Sequence, residues 1–233
     1  MDVALFTQEG LVMILRWVHF FAGVAWIGFL YYFNFVQGAF MPEVDPNVKN
    51  NVFAKLVPRA MLWFRYGALF TFLSGVIMLA LAGHELKADF FFTPYGIYIY
   101  AGALLGTLMF LNVWLIIWPK QKILIANGQT LLAGGAANPE AAKVAPQALL
   151  ASRTNVMFSL PMLFFMGASR HLGLSFSESY APLTVLSVVT VVILALQINA
   201  MKGKLGPMTT VRGVIHCGVG LLVVLYGLIE VLA

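Results

Sequence analysis

Residues 16–28, RWVHFFAGVAWIG, lie inside an apolar run over 11–36 that is long enough to cross a bilayer as a helix. The run nevertheless contains Arg16 and His19. Ionisable side chains are costly inside a membrane and commonly mark functional sites there. The stretch therefore predicts a membrane-spanning helix with a candidate site near its beginning.

The composition of the whole chain agrees with a membrane protein. Of its 233 residues, 61% are hydrophobic and only 10% are charged, far from the average for soluble domains. Six apolar runs occur, at about 11–36, 59–82, 95–118, 154–174, 182–200 and 213–232. We therefore expect an all-α integral membrane protein, a bundle of about six transmembrane helices that forms a single domain over residues 1–233. Residues 119–152 are expected to form a cytoplasmic loop with a short surface helix at about 138–151.

The basic residues predict the orientation of these helices. Lys and Arg favour the cytoplasmic loops of membrane proteins. Most of those in this chain follow the first, third or fifth run, namely Lys49, Lys55, Arg59, Lys120, Lys122, Lys143, Arg153, Lys202, Lys204 and Arg212. We therefore expect a multi-pass protein of a bacterial inner membrane, surrounded by lipid, with both termini in the periplasm. The same rule explains the formal net charge of +5 without a nucleic acid partner.

A first polar layer, towards the outer side, suits a haem. Arg16, His19 and Gly23 fall on one face of the first helix, together with Trp26. An imidazole can bind haem iron, a glycine one turn away leaves room for the flat ring, and an arginine can pair with a propionate. The fourth run ends with a similar set that contains Gly167, Arg170 and His171.

We therefore predict haem b, with His19 and His171 as iron ligands and Arg16 and Arg170 beside the propionates. His84 is the alternative ligand opposite His19. A second haem is also open, with His216 as a candidate ligand. No Cys-x-x-Cys-His motif is present, so the haem would not be of the covalently attached c-type. Structural explanations remain open for each side chain, since arginines can extend to the interface and histidines can bind a neighbouring helix.

Three segments resemble a known family: RWVHFFAGVAWIG at 16–28, NVWLIIWPKQK at 112–122 and SRTNVMFSLPMLFFM at 152–166. They are similar to the membrane portion of the bacterial membrane-bound urate hydroxylases, also called the urate oxidase N-terminal domain family. The resemblance extends from about residue 10 to the last apolar run. It implies a helical membrane bundle, oxidation of urate and transfer of the electrons to cytochrome c. Relatives that act on urate continue into a C-terminal cytochrome c domain, whereas this chain ends at Ala233, so we expect a separate cytochrome c or a respiratory complex as the partner.

A second polar layer, towards the cytoplasmic side, gains a role from this resemblance. Guanidinium and amide groups suit a planar anion such as urate. The candidate substrate-binding residues are Arg153, Asn155, Asn112 and Arg212. Arg153 and Arg212 also lie where the orientation rule places basic residues, and Asn155 with Thr154 could cap the fourth helix. No catalytic residue is predicted.

Three functions are therefore compatible with the sequence. The leading one is a membrane-embedded b-type haem oxidoreductase that passes electrons from a small substrate or quinol to a separate cytochrome c. The second is a non-catalytic haem-bearing or structural subunit of a respiratory complex. The third is a copper or solute transporter, because thioethers such as those of Met157, Met162 and Met166 bind copper(I). The substrate, the number of haems and the oligomeric state are left open.

Overall fold

The computed structural model describes residues 3–86, 88–177 and 180–233. Within these ranges the chain is helical and contains no β-strand. Six helices are long and apolar enough to cross a membrane, namely α1 Gln8–Glu43, α2 Pro46–His84, α3 Pro94–Leu132, α4 Pro139–His171, α5 Pro182–Lys202 and α6 Val211–Leu232. The predicted all-α membrane fold with six spans is thus confirmed.

Local sequence signals explain where most of these helices begin. Five helices follow a residue whose side chain accepts a hydrogen bond from a backbone N–H of the first turn: Thr7, Asp45, Thr93, Asn138 and Thr210. In α2, α3 and α4 a proline comes next, where its fixed φ suits the first turn and its missing N–H costs nothing. The boundaries of the bundle are therefore encoded locally.

The six helices are not equivalent in the bundle. α4 is central and mostly buried, and it packs against α3, α5 and α6 and less extensively against α1. α1 and α2 pack mainly against each other and leave most of their apolar side chains on the outside. The chain therefore forms a compact group of four helices with the α1–α2 pair attached to one side.

The two ends of the bundle differ in charge. The end at which α1 and α3 finish, here called the basic end, carries Lys49, Lys55, Lys120 and Lys122. The opposite end holds both chain termini and is called the terminal end. There the backbone N–H of Ser177 donates a 2.7 Å hydrogen bond to the carbonyl of Ala233.

The predicted loop at 119–152 is largely helical, and the helix expected within it at about 138–151 is present. α3 continues to Leu132 and α4 begins at Pro139, so the surface helix expected at about 138–151 is the continuous first part of α4. The extension of α3 lies against the start of α2, where a Cβ added to Gly128 would be 2.8 Å from Cβ of Phe53. The segment 118–132 buries only one face, at Ile125 and Gly128. Its lysines and other polar residues lower the mean hydropathy, so hydropathy alone does not predict a helix there.

Three helices contain a π-helical segment in the half of the bundle nearer the basic end. These segments are Tyr32–Gln37 in α1, Val52–Leu56 in α2 and Asn112–Ile117 in α3. Two of them carry a buried asparagine, Asn34 and Asn112. Because π-helical turns are rare and are frequent at functional sites, they direct attention to this half of the molecule.

Candidate functional site

His19 packs against α2, where a hydroxyl group orients its ring. Nδ1 of His19 lies 3.2 Å from Oγ of Ser74, and the Ser74 hydroxyl donates to the carbonyl of Phe70 at 2.6 Å. Since the hydroxyl proton is used in that bond, we assign Nδ1–H of His19 as the donor to Ser74. The neutral ring then keeps a lone pair on Nε2, which is the arrangement of a metal-binding histidine whose other nitrogen is held by the protein.

The glycines near His19 serve the contact between α1 and α2. A Cβ at Gly75 would lie 3.2 Å from Cε1 of His19, and a Cβ at Gly67 would lie 2.9 Å from the backbone nitrogen of Trp26. Gly23, the position expected to leave room for a flat ring, faces Thr71 across 3.8 Å. Small residues let two membrane helices approach closely, and here the space beside Gly23 is taken by α2.

The remaining predicted haem residues lie at the surface. Arg16 is exposed one turn before His19, and His84 and His171 are exposed at the ends of α2 and α4. Arg170 is exposed and lies over the ring of Tyr95 on α3, with Cζ 4.4 Å from the ring centroid. His216 is exposed as well, near the start of α6 and thus at the basic end. Within the described ranges, no three His, Cys, Asp or Glu side chains come together to hold a metal ion.

The register of α1 and α4 nevertheless relates His19 to His171. The hydroxyl groups of Tyr31 on α1 and Ser159 on α4 are 2.9 Å apart. The two helices run in opposite directions, His19 precedes Tyr31 by 12 residues, and His171 follows Ser159 by 12. Both histidines therefore lie about 18 Å from this contact, at similar height. His84 follows Ser74 by 10 residues on α2, which places it about 15 Å beyond His19.

Haem can be tested against these residues. The donor set of His19 fits an axial ligand, and Arg16 offers a cation for a propionate from the accessible side of α1. Two grooves beside α1 are small, about 200 and 210 Å³, and neither is lined by His19. Ligand pockets commonly measure about 300–1,000 Å³. The chemistry of the first polar layer therefore fits the group, and the accessible side of His19, not a groove between helices, is where it would bind.

The amides predicted to bind substrate contact each other in the core. Nδ2 of Asn112 donates to Oδ1 of Asn155 at 2.8 Å and to Oε1 of Gln197 at 3.0 Å. Nε2 of Gln197 donates back to Oδ1 of Asn112 at 2.6 Å, and Nδ2 of Asn155 donates to the carbonyl of Met109 at 3.0 Å. All three amide side chains are buried. This network joins α3, α4 and α5, and Asn155 lies deep inside α4 and does not cap it.

Arg153 differs from these amides because two of its three guanidinium nitrogens are buried without a hydrogen bond. Its side chain is only 7% exposed, yet Nε and Nη1 make no hydrogen bond. In the described part of the chain the ion pair that forms is a surface one, between Lys143 and Glu140 at 3.3 Å. Arg153 precedes Asn155 by two residues, so the two side chains leave α4 in directions about 200° apart. Arg212, the other candidate, is exposed near the start of α6.

Sequence reasoning missed two groups and gave a third no role. Ser74 was missed because a serine in an apolar helix commonly bonds its own backbone. The pair of Tyr98 and Glu230 was missed too, although Glu230 is the one carboxylate in the last apolar run. The third is Arg65, which lies with Cζ 4.0 Å from the centroid of the Trp118 ring.

Comparison with protein families adds an independent finding. The family model described as urate oxidase N-terminal matches residues 82–226. This range contains α3, α4, α5 and most of α6, and therefore the amide network and Arg153, whereas His19 and Ser74 lie before it. Comparisons with curated proteins and with solved structures give no match.

Proposed function

The chain belongs to the urate oxidase N-terminal family, and from this premise we propose that it is a membrane-embedded b-type haem oxidoreductase. It takes electrons from a small substrate or quinol and passes them to a separate cytochrome c. The family is named after urate oxidase, which supports oxidation chemistry. The six candidate membrane spans support a reaction coupled to the membrane.

The observation that carries haem binding is the hydrogen bond between His19 and Ser74. It holds Nδ1 on the Ser74 side, so Nε2 lies on the far side of the ring. Haem, when bound, supplies one-electron redox chemistry that the side chains of the protein lack. His19 would hold the iron, and Arg16 would stabilise a propionate by a charge-assisted hydrogen bond.

His171 is the second iron ligand in this proposal. Its support is the register set by Tyr31 and Ser159, which gives His19 and His171 similar heights in the bundle. Arg170, the neighbour of His171, is the second candidate for a propionate. The same heights disfavour His84 as the ligand opposite His19, and His216 is left as the candidate for a second haem at the other end.

Absorbance spectroscopy of purified protein tests the haem. We expect a reducible b-type spectrum and a pyridine haemochrome from the wild-type chain. His19→Ala and His171→Ala should lose this spectrum, whereas His84→Ala should retain it as the matched control. If the wild-type protein remained colourless after reconstitution with haem, this assignment would be refuted. Full haem retention in His19→Ala would refute it as well.

We also propose that the basic end faces the cytoplasm and that both termini lie in the periplasm of a bacterial inner membrane. The support is the distribution of Lys and Arg. Reporter fusions after Ala233 and within residues 133–138 should report opposite sides of the membrane, with the second in the cytoplasm. The reverse pattern would overturn the orientation.

Copper transport gains no support from the methionines. Met157 and Met162 are buried in the hydrophobic core, and Cε of Met166 would lie 3.3 Å from a Cβ at Gly102. These side chains fill irregular space between α4 and its neighbours, which is a common use of methionine.

One measurement distinguishes an enzyme from a non-catalytic subunit. In an enzyme the substrate reduces the bound haem, whereas in a non-catalytic subunit it does not.

A further inference from the structure

Arg153 poses an electrostatic problem that the described part of the chain does not solve. A guanidinium stays charged in proteins and has N–H donors only. Arg153 is 93% buried, with both Nε and Nη1 unpaired. Buried charges are normally paired, because burial of a lone charge is very costly. The side chain therefore requires an acceptor from outside the described chain.

The face of α4 that carries Arg153 packs against α6. Arg153, Met157 and Leu160 are spaced as i, i+4 and i+7, so they lie on one face of the helix. A Cβ at Gly218 of α6 would lie 3.1 Å from the carbonyl oxygen of Met157 and 3.1 Å from Cδ1 of Leu160. This contact sets α4 directly against α6 one turn from Arg153.

The same contact places Arg153 beside the first turns of α6. Both helices run from the basic end to the terminal end, so one turn before Met157 corresponds to one turn before Gly218, at Val214. Val214 is fully buried, and α6 begins shortly before it at Val211, after the N-cap Thr210. Arg153 therefore approaches the N-terminus of a 22-residue helix.

This helix end adds positive charge to that of Arg153. The free N–H groups and the dipole of a helix N-terminus favour an anion. Thr210 Oγ1 accepts from the backbone N–H of Gly213 at 2.9 Å, and Arg212 adds an exposed cation to the first turn. Arg153 and this helix end thus lie at a similar height on two packed helices, and in the residues described no carboxylate lies within 4 Å of the Arg153 guanidinium.

We propose that Arg153 and the N-terminus of α6 form a binding site for a small oxyanion, a carboxylate or phosphate group, at the basic end of the bundle. The planar guanidinium suits such a group because it can donate parallel hydrogen bonds to two oxygens. The anion arrives either as a soluble molecule or as the headgroup of an anionic lipid. This site does not depend on haem, so it can be tested apart from the proposed redox function.

Thermal unfolding in lipid nanodiscs tests the anion site. The full chain is placed in phosphatidylcholine discs and titrated with inorganic phosphate, with chloride at matched ionic strength as the reference. A second series replaces part of the phosphatidylcholine with phosphatidylglycerol and contains no phosphate. A saturable rise in Tm with phosphate identifies a soluble anion, and a rise with phosphatidylglycerol alone identifies a lipid headgroup. Either result supports the site, and the absence of both refutes it.

Variants assign the effect to Arg153. Arg153→Met removes the buried charge and should abolish the response to the anion without lowering Tm in its absence. Arg153→Lys keeps the charge but loses the planar fork, and should bind at least about tenfold more weakly. Arg59→Met is the matched control, because Arg59 is exposed and bonds the carbonyl of Lys55 at 2.7 Å.

The control variant should respond to the anion as the wild type does. If Arg153→Met does not fold, Arg153→Lys still decides the question. An unchanged anion affinity in whichever Arg153 variant folds would overturn the site.

Discussion

The hydroxyl of Tyr98 on α3 donates a 2.7 Å hydrogen bond to Oε1 of Glu230 near the end of α6. Tyr98 is fully buried, and its ring is stacked on that of Tyr226, with centroids 6.4 Å apart. The bond therefore connects the core of the bundle to the carboxylate nearest the C-terminus.

Removal of this bond should destabilise the terminal end. Tyr98→Phe takes away the donor and leaves the stacked ring, and we expect a loss of about 1 kcal/mol, the usual net value of one hydrogen bond. Glu230→Gln keeps an acceptor oxygen and should lose less. Thermal unfolding of the purified proteins measures both. Equal Tm values for Tyr98→Phe and the wild type would show that the bond contributes nothing.

The amide network at Asn112 should contribute to stability irrespective of any substrate. Asn112→Leu leaves the amide groups of Asn155 and Gln197 without their partner inside the core, which costs about 1–3 kcal/mol for each unsatisfied group. Asn47→Leu, at an exposed position, is the control and should be nearly neutral. A chemical or thermal unfolding series measures the difference. If Asn112→Leu lost substrate binding but kept its full stability, the amides would have the substrate role predicted from the sequence.

The contact between α1 and α2 should depend on Gly67. Gly67→Leu forces a side chain against the backbone of Trp26 and Ala22, where even a Cβ would lie within about 3 Å. We expect a loss of about 1–3 kcal/mol, typical of an overpacked interface. Gly28→Leu is the control, since nothing lies within 4 Å of a Cβ at that position. Similar unfolding curves for the two variants would contradict the close contact.

Ser74 should influence haem without binding it. Ser74→Ala keeps His19 but removes the group that orients its ring, and such a loss commonly weakens metal binding by about 10–100-fold. The variant should retain a b-type spectrum with a shifted reduction potential or faster haem loss. Ser74→Thr keeps a hydroxyl and should restore much of the wild-type behaviour. A potential and a rate of haem loss identical to those of the wild type in Ser74→Ala would separate Ser74 from the haem site.

The sequence predicts the spans well because their apolar runs are long. The prediction fails for a helix that buries only one of its faces. The extension of α3 beyond Trp118 contains lysines and buries only one stripe, so hydropathy alone suggests a loop. Thr93 and Asn138 cap helices in the structure, and Asn138 with Pro139 marks the true start of α4. That signal lay inside the expected loop.

The site was harder to predict because it depends on rotation and register between helices. The sequence placed Asn112 and Asn155 in one layer but could not show that they face each other in the core. It placed His19 and Gly23 on one face. It could not show that this face meets Ser74 and Thr71 of α2. The height match of His19 and His171 needed the contact between Tyr31 and Ser159.

The π-helical segment Asn112–Ile117 affects how the chain tolerates changes in length. A π turn closes with an i→i+5 hydrogen bond, so it holds one residue more than an α turn. Deletion of one residue such as Leu115, which is exposed, lets the segment return to α geometry while both flanking parts keep their orientation. The same deletion near Ala103 would rotate one part of α3 against the other by about 100° and break the alignment of Tyr98 with Asn112. Insertions and deletions among relatives should therefore accumulate in the π-helical segments and be selected against in the regular turns.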